Sequence, residues 1–369
     1  MNIEDKIFLD ESGELSESEK NFVSGVLEQI NQDSIISYSI RDIEPISSGF
    51  EVDTYKINSV GGDKLVLKIS FGDAQNLFRE YDTLRTLADL NLAPSALNKY
   101  EVRCFASEGL AVLESFVDGF SVMDFGIHDV FSCDEELERL FGELALISDK
   151  DIDSIGNPLT EDYIGQNVGN LIPTFGLEEA DRLGKILNMK GFSSDLRRLR
   201  VDLSLKASQY NLGKIVNGDL RPDTIIFPSG KERKYKNYYL SSWGKTFLGN
   251  PLFDLMNFIL ENRLFSISEK CKSLFFKKFN SVNPRLTREM EKMYQEYFNY
   301  FIATRFWRDV VHYLKLCASN EFSSLSTIEH VRFIETLDFY KATVYKVIPS
   351  CEKFLDRFFL SVSEQQNNQ

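Results

Sequence analysis

The sequence predicts an α+β protein with two lobes. The small lobe is a five-stranded antiparallel sheet plus one helix, and the large lobe is mostly helical. Three observations support this: apolar residues alternate with period two over much of residues 40–116, an amphipathic helix interrupts that pattern, and the spacing is almost wholly helical after residue 244. A chain of 369 residues is long enough for two domains. The predicted domains are an N-terminal extension with a helix (1–37), the small lobe (38–117), the large lobe (118–363) and a disordered tail (364–369).

Composition narrows the class of protein. The chain is 43% hydrophobic and 13% aromatic, which is typical of globular proteins. A net charge of −14 argues against a nucleic-acid partner, because phosphate binding needs clustered Lys and Arg. The five Cys are far apart, which argues against zinc and disulfides and favours a reducing, cytoplasmic compartment. The acidic N-terminus does not resemble a signal peptide, and no apolar run is long enough to span a membrane.

The first elements are a helix and three strands. A capping box at 16–19 opens a helix with one apolar face. Strands follow at 43–51, 52–58 and 64–70, with turns at 47–49 and 60–63. The first turn, Ser47-Ser48-Gly49, could offer backbone N–H groups and two hydroxyls to a phosphate, but taken alone it favours an ordinary hairpin.

Lys68 lies inside the apolar third strand, and a buried ammonium needs an anion nearby. Glu80 lies beside the apolar stripe of the predicted helix 76–90 and can supply that anion. A strand Lys paired with a helix Glu, with nucleotide phosphates as the second partner of the Lys, is the arrangement of kinases. The alternative is a Lys68 that reaches solvent and a solvent-facing Glu80. The acidic loop at Asp219, described below, favours the pair.

Two further strands, 99–106 and 110–116, complete the small lobe, and the pattern breaks at residues 117–119. The segment Glu114-Ser115-Phe116 is predicted to be a hinge whose backbone groups contact an adenine ring. Residues 134–162 then carry a net charge of −8. A solvated helix face followed by a loop is the default interpretation, and a collar for a cationic substrate is the alternative. The long loop 149–176 has the composition of a functional lid.

The segment 216–227 predicts a strand, a tight polar loop and a second strand, with Asp219 at the tip of the loop. In a kinase catalytic loop, an Asp accepts the proton of the substrate hydroxyl, and a residue five positions later holds a metal ion. The alternative is a β-turn-β in which Asp219 caps its own loop.

In this order and spacing, the motifs resemble the aminoglycoside phosphotransferase and choline kinase family, which has the protein-kinase-like fold. The resemblance spans roughly residues 40–320. It implies that Lys68 clamps the phosphates of ATP or GTP, that Glu80 orients Lys68, and that Asp219 is the catalytic base. The matching segments are the Lys68 strand 65–69, the helix segment 79–81, the hinge 111–119, the loop 217–222 in place of His-Gly-Asp-Leu-His-Pro, and 249–255 in place of Gly-Asp-Pro-x-x-Asp-Leu.

Two departures from the family concern the metal. Thr224 stands where the family has its metal-binding Asn, and Ser242 stands where it has a metal-chelating Asp. Mg²⁺ prefers anionic oxygen ligands, so Mg²⁺ binding is expected to be weak, with Asp223 as a further candidate ligand. Two classes stay open: a divergent kinase acting on a hydroxylated or cationic small molecule, and a pseudokinase that binds a nucleotide, a small molecule or a protein partner without transfer.

Overall fold

The computed structural model describes residues 17–33, 40–48, 52–70, 75–90, 93–104, 107–126, 130–150, 209–228, 238–244, 246–261 and 264–318. It also describes single residues and pairs between 185 and 206 and the pair 356–357. Gly49, most of the predicted loop 149–176 and the predicted tail 364–369 lie outside the described residues.

The small lobe is the predicted five-stranded antiparallel sheet, with strand order β1-β2-β3-β5-β4. The third strand, which carries Lys68, is central in the sheet and not at an edge. The first strand includes Ser47 and Ser48, so the turn after it begins later than predicted. The strands are β1 (Ile40–Ser48), β2 (Asp53–Ser59), β3 (Lys64–Ser70), β4 (Ala96–Cys104) and β5 (Ser107–Ser115).

Among the described elements, one helix packs on each face of the sheet. Helix α1 (Glu17–Asp33), from the N-terminal extension, packs its apolar stripe on one face, where Leu67 and Ile69 are buried with it. Helix α2 (Gln75–Thr86) packs against the other face, where its Leu77 joins Val112 of β5. Because side chains alternate between the faces of a strand, Lys68 points to the α2 side.

Short strands and longer helices follow the sheet. Strands β6, β8 and β9 form a three-stranded antiparallel sheet, and β7 pairs with β10. Gly119 in β6 lies so close to β8 that an added Cβ would overlap the carbonyl oxygen of Phe227. The bounds are β6 (Gly119–Ser121), α3 (Val122–Phe125), α4 (Asp134–Asp149), β7 (Lys214–Val216), β8 (Ile225–Pro228), β9 (Tyr239–Leu240), β10 (Phe247–Gly249), α5 (Leu252–Glu261), α6 (Ser268–Val282) and α7 (Pro284–Ala318).

The chain divides into two compact units. The first contains residues 1–158, 217–246 and 257–282, and the second contains 159–216, 247–256 and 283–369. In the first unit, α4 and α6 pack through edge-to-face aromatic rings, such as Phe141 on Phe275 at 5.5 Å between centroids. In the second unit, Phe253 packs on Phe301 at 5.3 Å. The domain boundaries given above remain predictions.

The acidic stretch is described as far as residue 150, and there it forms helix α4. Several of its carboxylates form ion pairs with basic side chains of the same protein. Glu138 lies 2.6 Å from Lys277 and 2.9 Å from Lys278, both of α6. Asp134 pairs with Lys270, and Arg139 pairs with Glu135. These contacts favour the solvated helix face over a substrate collar. Among the described residues, no helix combines the length and apolar composition that crossing a membrane requires.

Candidate functional site

The predicted ion pair between Lys68 and Glu80 is present. Lys68 Nζ lies 2.8 Å from Glu80 Oε1. Glu80 follows Leu77 by three residues and precedes Leu84 by four, so helical spacing places it within the buried stripe of α2. Its relative exposure is 7%. The solvent-facing alternative for Glu80 is therefore wrong.

A second carboxylate also holds Lys68. Glu114 Oε1 and Oε2 lie 3.2 and 3.0 Å from Lys68 Nζ, and Glu114 is only 1% exposed. The strand register explains the contact: Lys68 pairs with Val112 and Val66 pairs with Glu114, so Glu114 is the diagonal neighbour of Lys68 on one face of the sheet. The sequence predicts only a backbone role for Glu114, in the hinge.

The three charges shift one another's proton affinity. Burial would lower the pKa of Lys68, but the carboxylates of Glu114 and Glu80 outweigh it and raise that pKa. Burial raises the pKa of Glu114 to about 7, with Lys68 opposing the shift and Glu80 adding to it. The cluster with every group ionised has a net charge of −1.

The predicted hinge is engaged within the sheet. Phe116 N–H donates to the carbonyl of Lys64 at 3.1 Å, and Ser115 N–H donates to the carbonyl of Ser95 at 2.9 Å. Glu114 itself lies inside β5. What this strand presents toward Lys68 is therefore the side chain of Glu114. Ser47 and Ser48 end β1, and nothing is described at Gly49.

Glu80 also connects the sheet to the segment that follows β9. Its Oε1, which binds Lys68, accepts the backbone N–H of Trp243 at 3.2 Å. The neighbouring Ser242 donates its hydroxyl to Asp219 Oδ2 at 3.1 Å. One series of contacts therefore runs from Lys68 through Glu80 and the 242–243 segment to Asp219.

The loop between β7 and β8 fixes Asp219. Asn217 accepts the backbone N–H of Asp219 at 3.0 Å and donates to the carbonyl of Ser242 at 2.8 Å. Gly218 has φ of 80°, a left-handed conformation that favours glycine. Asp219 is buried, and Arg221 Nε lies 3.1 Å from its Oδ1 with the N–H out of line for a hydrogen bond. The attraction between these two groups is therefore electrostatic.

Thr224 stabilises the loop backbone. Its hydroxyl lies 2.8 Å from the carbonyl of Asp219 and 3.0 Å from that of Arg221, and it accepts the N–H of Arg221 at 3.1 Å. A hydroxyl has one donor and two acceptor positions, so these contacts nearly exhaust it. The sequence prediction that Thr224 occupies a metal-ligand position missed this backbone role.

The other predicted metal positions are also engaged. Ser242 donates to Asp219, and the exposed Asp223 lies 3.4 Å from the guanidinium of Arg221. Within the described ranges, no group of three or more His, Cys, Asp or Glu side chains could hold a metal ion. These residues do not fit the Mg²⁺ that the family resemblance implies, because Mg²⁺ favours several anionic oxygens.

Comparison of the sequence with protein-family models and with curated proteins finds no match. Solved structures share the fold. An amicoumacin kinase in complex with AMP-PNP and Ca²⁺ is similar with a TM-score of 0.58 at 12% identity, over 87% of this chain and 95% of that chain. The aminoglycoside phosphotransferase APH(2″)-IIIa with GDP and kanamycin gives 0.51 at 17% identity, over 88% and 99%.

A ternary complex of the aminoglycoside phosphotransferase APH(4)-Ia with AMP-PNP and hygromycin B gives 0.51 at 13% identity, over 91% of this chain and 99% of that chain. The chain thus has the protein-kinase-like fold of small-molecule phosphotransferases, as the sequence predicts. At these identities the similarity defines the fold, and the chemistry has to be argued from the site.

Proposed function

We propose that this protein binds ATP or GTP through Lys68 and is a phosphotransferase-like protein with little or no Mg²⁺-dependent transfer. The observation that carries the proposal is the shared oxygen of Glu80. Because Oε1 binds both Lys68 Nζ and Trp243 N–H, the predicted phosphate clamp and the predicted base loop belong to one hydrogen-bonded arrangement. An ionic strand Lys held in this way is suited to phosphate oxygens.

The weak point of the site for transfer is its set of oxygen ligands. Phosphoryl transfer of this type depends on metal ions that bridge the phosphates and neutralise developing charge. Thr224 and Ser242 offer neutral hydroxyls, which are already bound to the loop backbone and to Asp219. Loss of a positioned group that stabilises charge typically costs about 10²–10³ in rate. Two such losses reduce turnover toward background.

An active, divergent kinase is the second candidate function. It is favoured by Asp219, which is buried, fixed by Asn217 and within hydrogen-bond distance of a hydroxyl, that of Ser242. In that case Asp219 accepts the proton of a hydroxylated, and by charge complementarity cationic, small molecule. If transfer is absent altogether, the same fold serves to bind a small molecule or a protein partner. The free thiols of Cys133 and Cys271 fit the reducing, cytoplasmic compartment proposed for it.

An ADP-release assay separates the two candidates. The wild type and the double substitution Thr224→Asn with Ser242→Asp are tested with Mg²⁺ and a panel of aminoglycosides and choline. We expect background turnover in the wild type and a gain in the double variant. Adding Asp219→Asn to the double variant is the control, because it should abolish the gain. Ordinary kinase rates in the wild type would overturn the proposal and establish the active kinase.

A further inference from the structure

We propose that Glu114 is a positioning residue that governs the access of phosphate to Lys68, and that nucleotide binding takes up one proton at Glu114. This inference rests on the proposed nucleotide function. An ammonium has three N–H donors, and here one carboxylate oxygen of Glu80 and two of Glu114 lie within 3.2 Å of Nζ. Phosphate oxygens can bind Lys68 only if one of these contacts is released.

Of the two carboxylates, Glu114 is the one whose contact with Lys68 can be released. Glu80 is fixed twice, by Lys68 and by the backbone N–H of Trp243. Within the described part of the chain, the Glu114 carboxylate hydrogen-bonds only to Lys68. Releasing Glu80 would also break the contact to the 242–243 segment, whereas releasing Glu114 leaves that segment in place.

The net charge of the cluster also favours protonation and release of Glu114 when phosphate binds. With both carboxylates ionised, the cluster carries −1, and a polyanion is repelled at short range in a buried site. Protonation of Glu114 makes the cluster neutral and frees a donor of Lys68. Among the residues that the structure describes, the charged groups facing Glu114 are Lys68 from β3 and Glu80 from α2, while its register partner in β4 is the uncharged Ala96. Burial holds the pKa of Glu114 at about 7, so protonation is available near neutral pH.

The test is calorimetric titration with AMP-PNP and GMP-PNP at pH 6, 7 and 8, in buffers of different ionisation enthalpy, which counts the protons taken up. Wild type should take up close to one proton at pH 8, and its affinity should fall about tenfold per pH unit above the pKa of Glu114. Glu114→Gln should take up about one proton fewer than wild type at pH 8. It should bind about tenfold more tightly than wild type at pH 8 and about equally at pH 6.

Glu143→Gln is the matched control. Glu143 is a second buried glutamate, in α4, whose pKa burial also raises, but it accepts the N–H of Tyr238 at 2.7 Å instead of facing Lys68. This variant should behave as wild type. Protonation of the nucleotide's own phosphates is common to all three proteins and cancels in the comparison.

The outcomes separate the two proposals. Equal affinity and equal proton uptake in wild type and Glu114→Gln would overturn the role of Glu114 and leave nucleotide binding intact. No binding by any of the three proteins at any pH would overturn nucleotide binding and this inference with it. If Glu114→Gln does not fold, Glu114→Leu, which also carries no titratable group, takes its place: about one proton fewer than wild type at pH 8 supports the inference, and an equal count overturns it.

Discussion

The site has two ends, the charged cluster around Lys68 and the loop around Asp219. Their polar groups find bonding partners in opposite ways. Around Lys68, three buried ionised side chains from β3, α2 and β5 bind one another. Around Asp219, neutral hydroxyls and amides bind the backbone, and the partly exposed Arg221 lies beside the carboxylate. At the first end, charged side chains are buried away from solvent and neutralise one another in part. The second uses hydroxyls and amides that hold the loop together.

This difference predicts how each end responds to substitution. Breaking a buried ion pair leaves an uncompensated charge, which is costly, whereas removing a neutral hydrogen bond costs less. The Lys68 end should therefore dominate stability and its pH dependence. The Asp219 end should show smaller changes in stability.

The largest effect is expected from Lys68→Ala, which leaves Glu80 and Glu114 facing each other without a cation. We expect a loss of about 3–5 kcal/mol in the free energy of unfolding, measured by urea denaturation, together with loss of nucleotide binding. The control is Lys64→Ala, since Lys64 pairs with Asp118 in an exposed position and should change stability by less than about 0.5 kcal/mol. Similar losses in both variants would contradict the buried cluster.

Glu114→Gln should alter how stability depends on pH. The folded-state pKa of about 7 lies above the ordinary 4.5, so the folded protein binds more protons than the unfolded chain between these values. The resulting stabilisation is complete below about pH 4.5 and is lost as pH rises through 7. The variant lacks this loss, so relative to wild type it should gain up to about 3 kcal/mol between pH 5 and pH 8. If the free energies of unfolding of the two proteins change with pH in parallel, the pKa of Glu114 is not raised in the folded protein.

At the Asp219 end, Thr224→Val should cost about 1–3 kcal/mol, because it removes the hydroxyl that serves the backbone of Asp219 and Arg221. Ser242→Ala, which removes a single partly buried hydroxyl contact, should cost less. Chemical denaturation of the two variants in parallel makes the measurement. A larger loss for Ser242→Ala would mean that Thr224 is not the main support of the loop.

The smallest effect should come from the acidic helix α4. Glu138 pairs with Lys277 and Lys278 on the surface, and such pairs contribute little. Glu138→Gln should leave the thermal midpoint unchanged within error. Turnover of a cationic substrate, in whichever protein shows activity, should also be unchanged. A selective loss of affinity for cationic substrates would restore the collar hypothesis for this stretch.

Periodicity predicted the parts of the site that depend on local sequence. The alternation around Lys68 and the helical stripe around Glu80 are local, and so their pairing could be inferred. The side chain of Glu114 could not, because β3 and β5 are far apart in sequence and a slip of one residue in their register would turn Glu114 to the opposite face. A signal was present: an acidic residue at the end of the apolar run 110–113 needs a partner.

The role of Thr224 was missed for a different reason. The resemblance to the family indicates a metal ligand at that position, whereas Thr in a turn commonly hydrogen-bonds to nearby backbone. The early turn at 47–49 was misplaced because Ser and Gly favour turns, yet pairing with Thr54 and Asp53 extends β1 through Ser48. Local hydrogen bonding to the backbone decides the first case, and strand pairing decides the second.

Gly119 carries no charge and no chemistry, yet its lack of a side chain has a consequence for sequence variation. A Cβ there would lie 2.9 Å from the carbonyl carbon of Phe227 and closer still to its oxygen, and β8 leads directly out of the loop that holds Asp219. Every other amino acid would push β6 and β8 apart. In a saturation library scored for folded protein, position 119 should tolerate substitution as poorly as position 68. Position 62, where an added Cβ meets open space and only the left-handed backbone resists, should accept Asn.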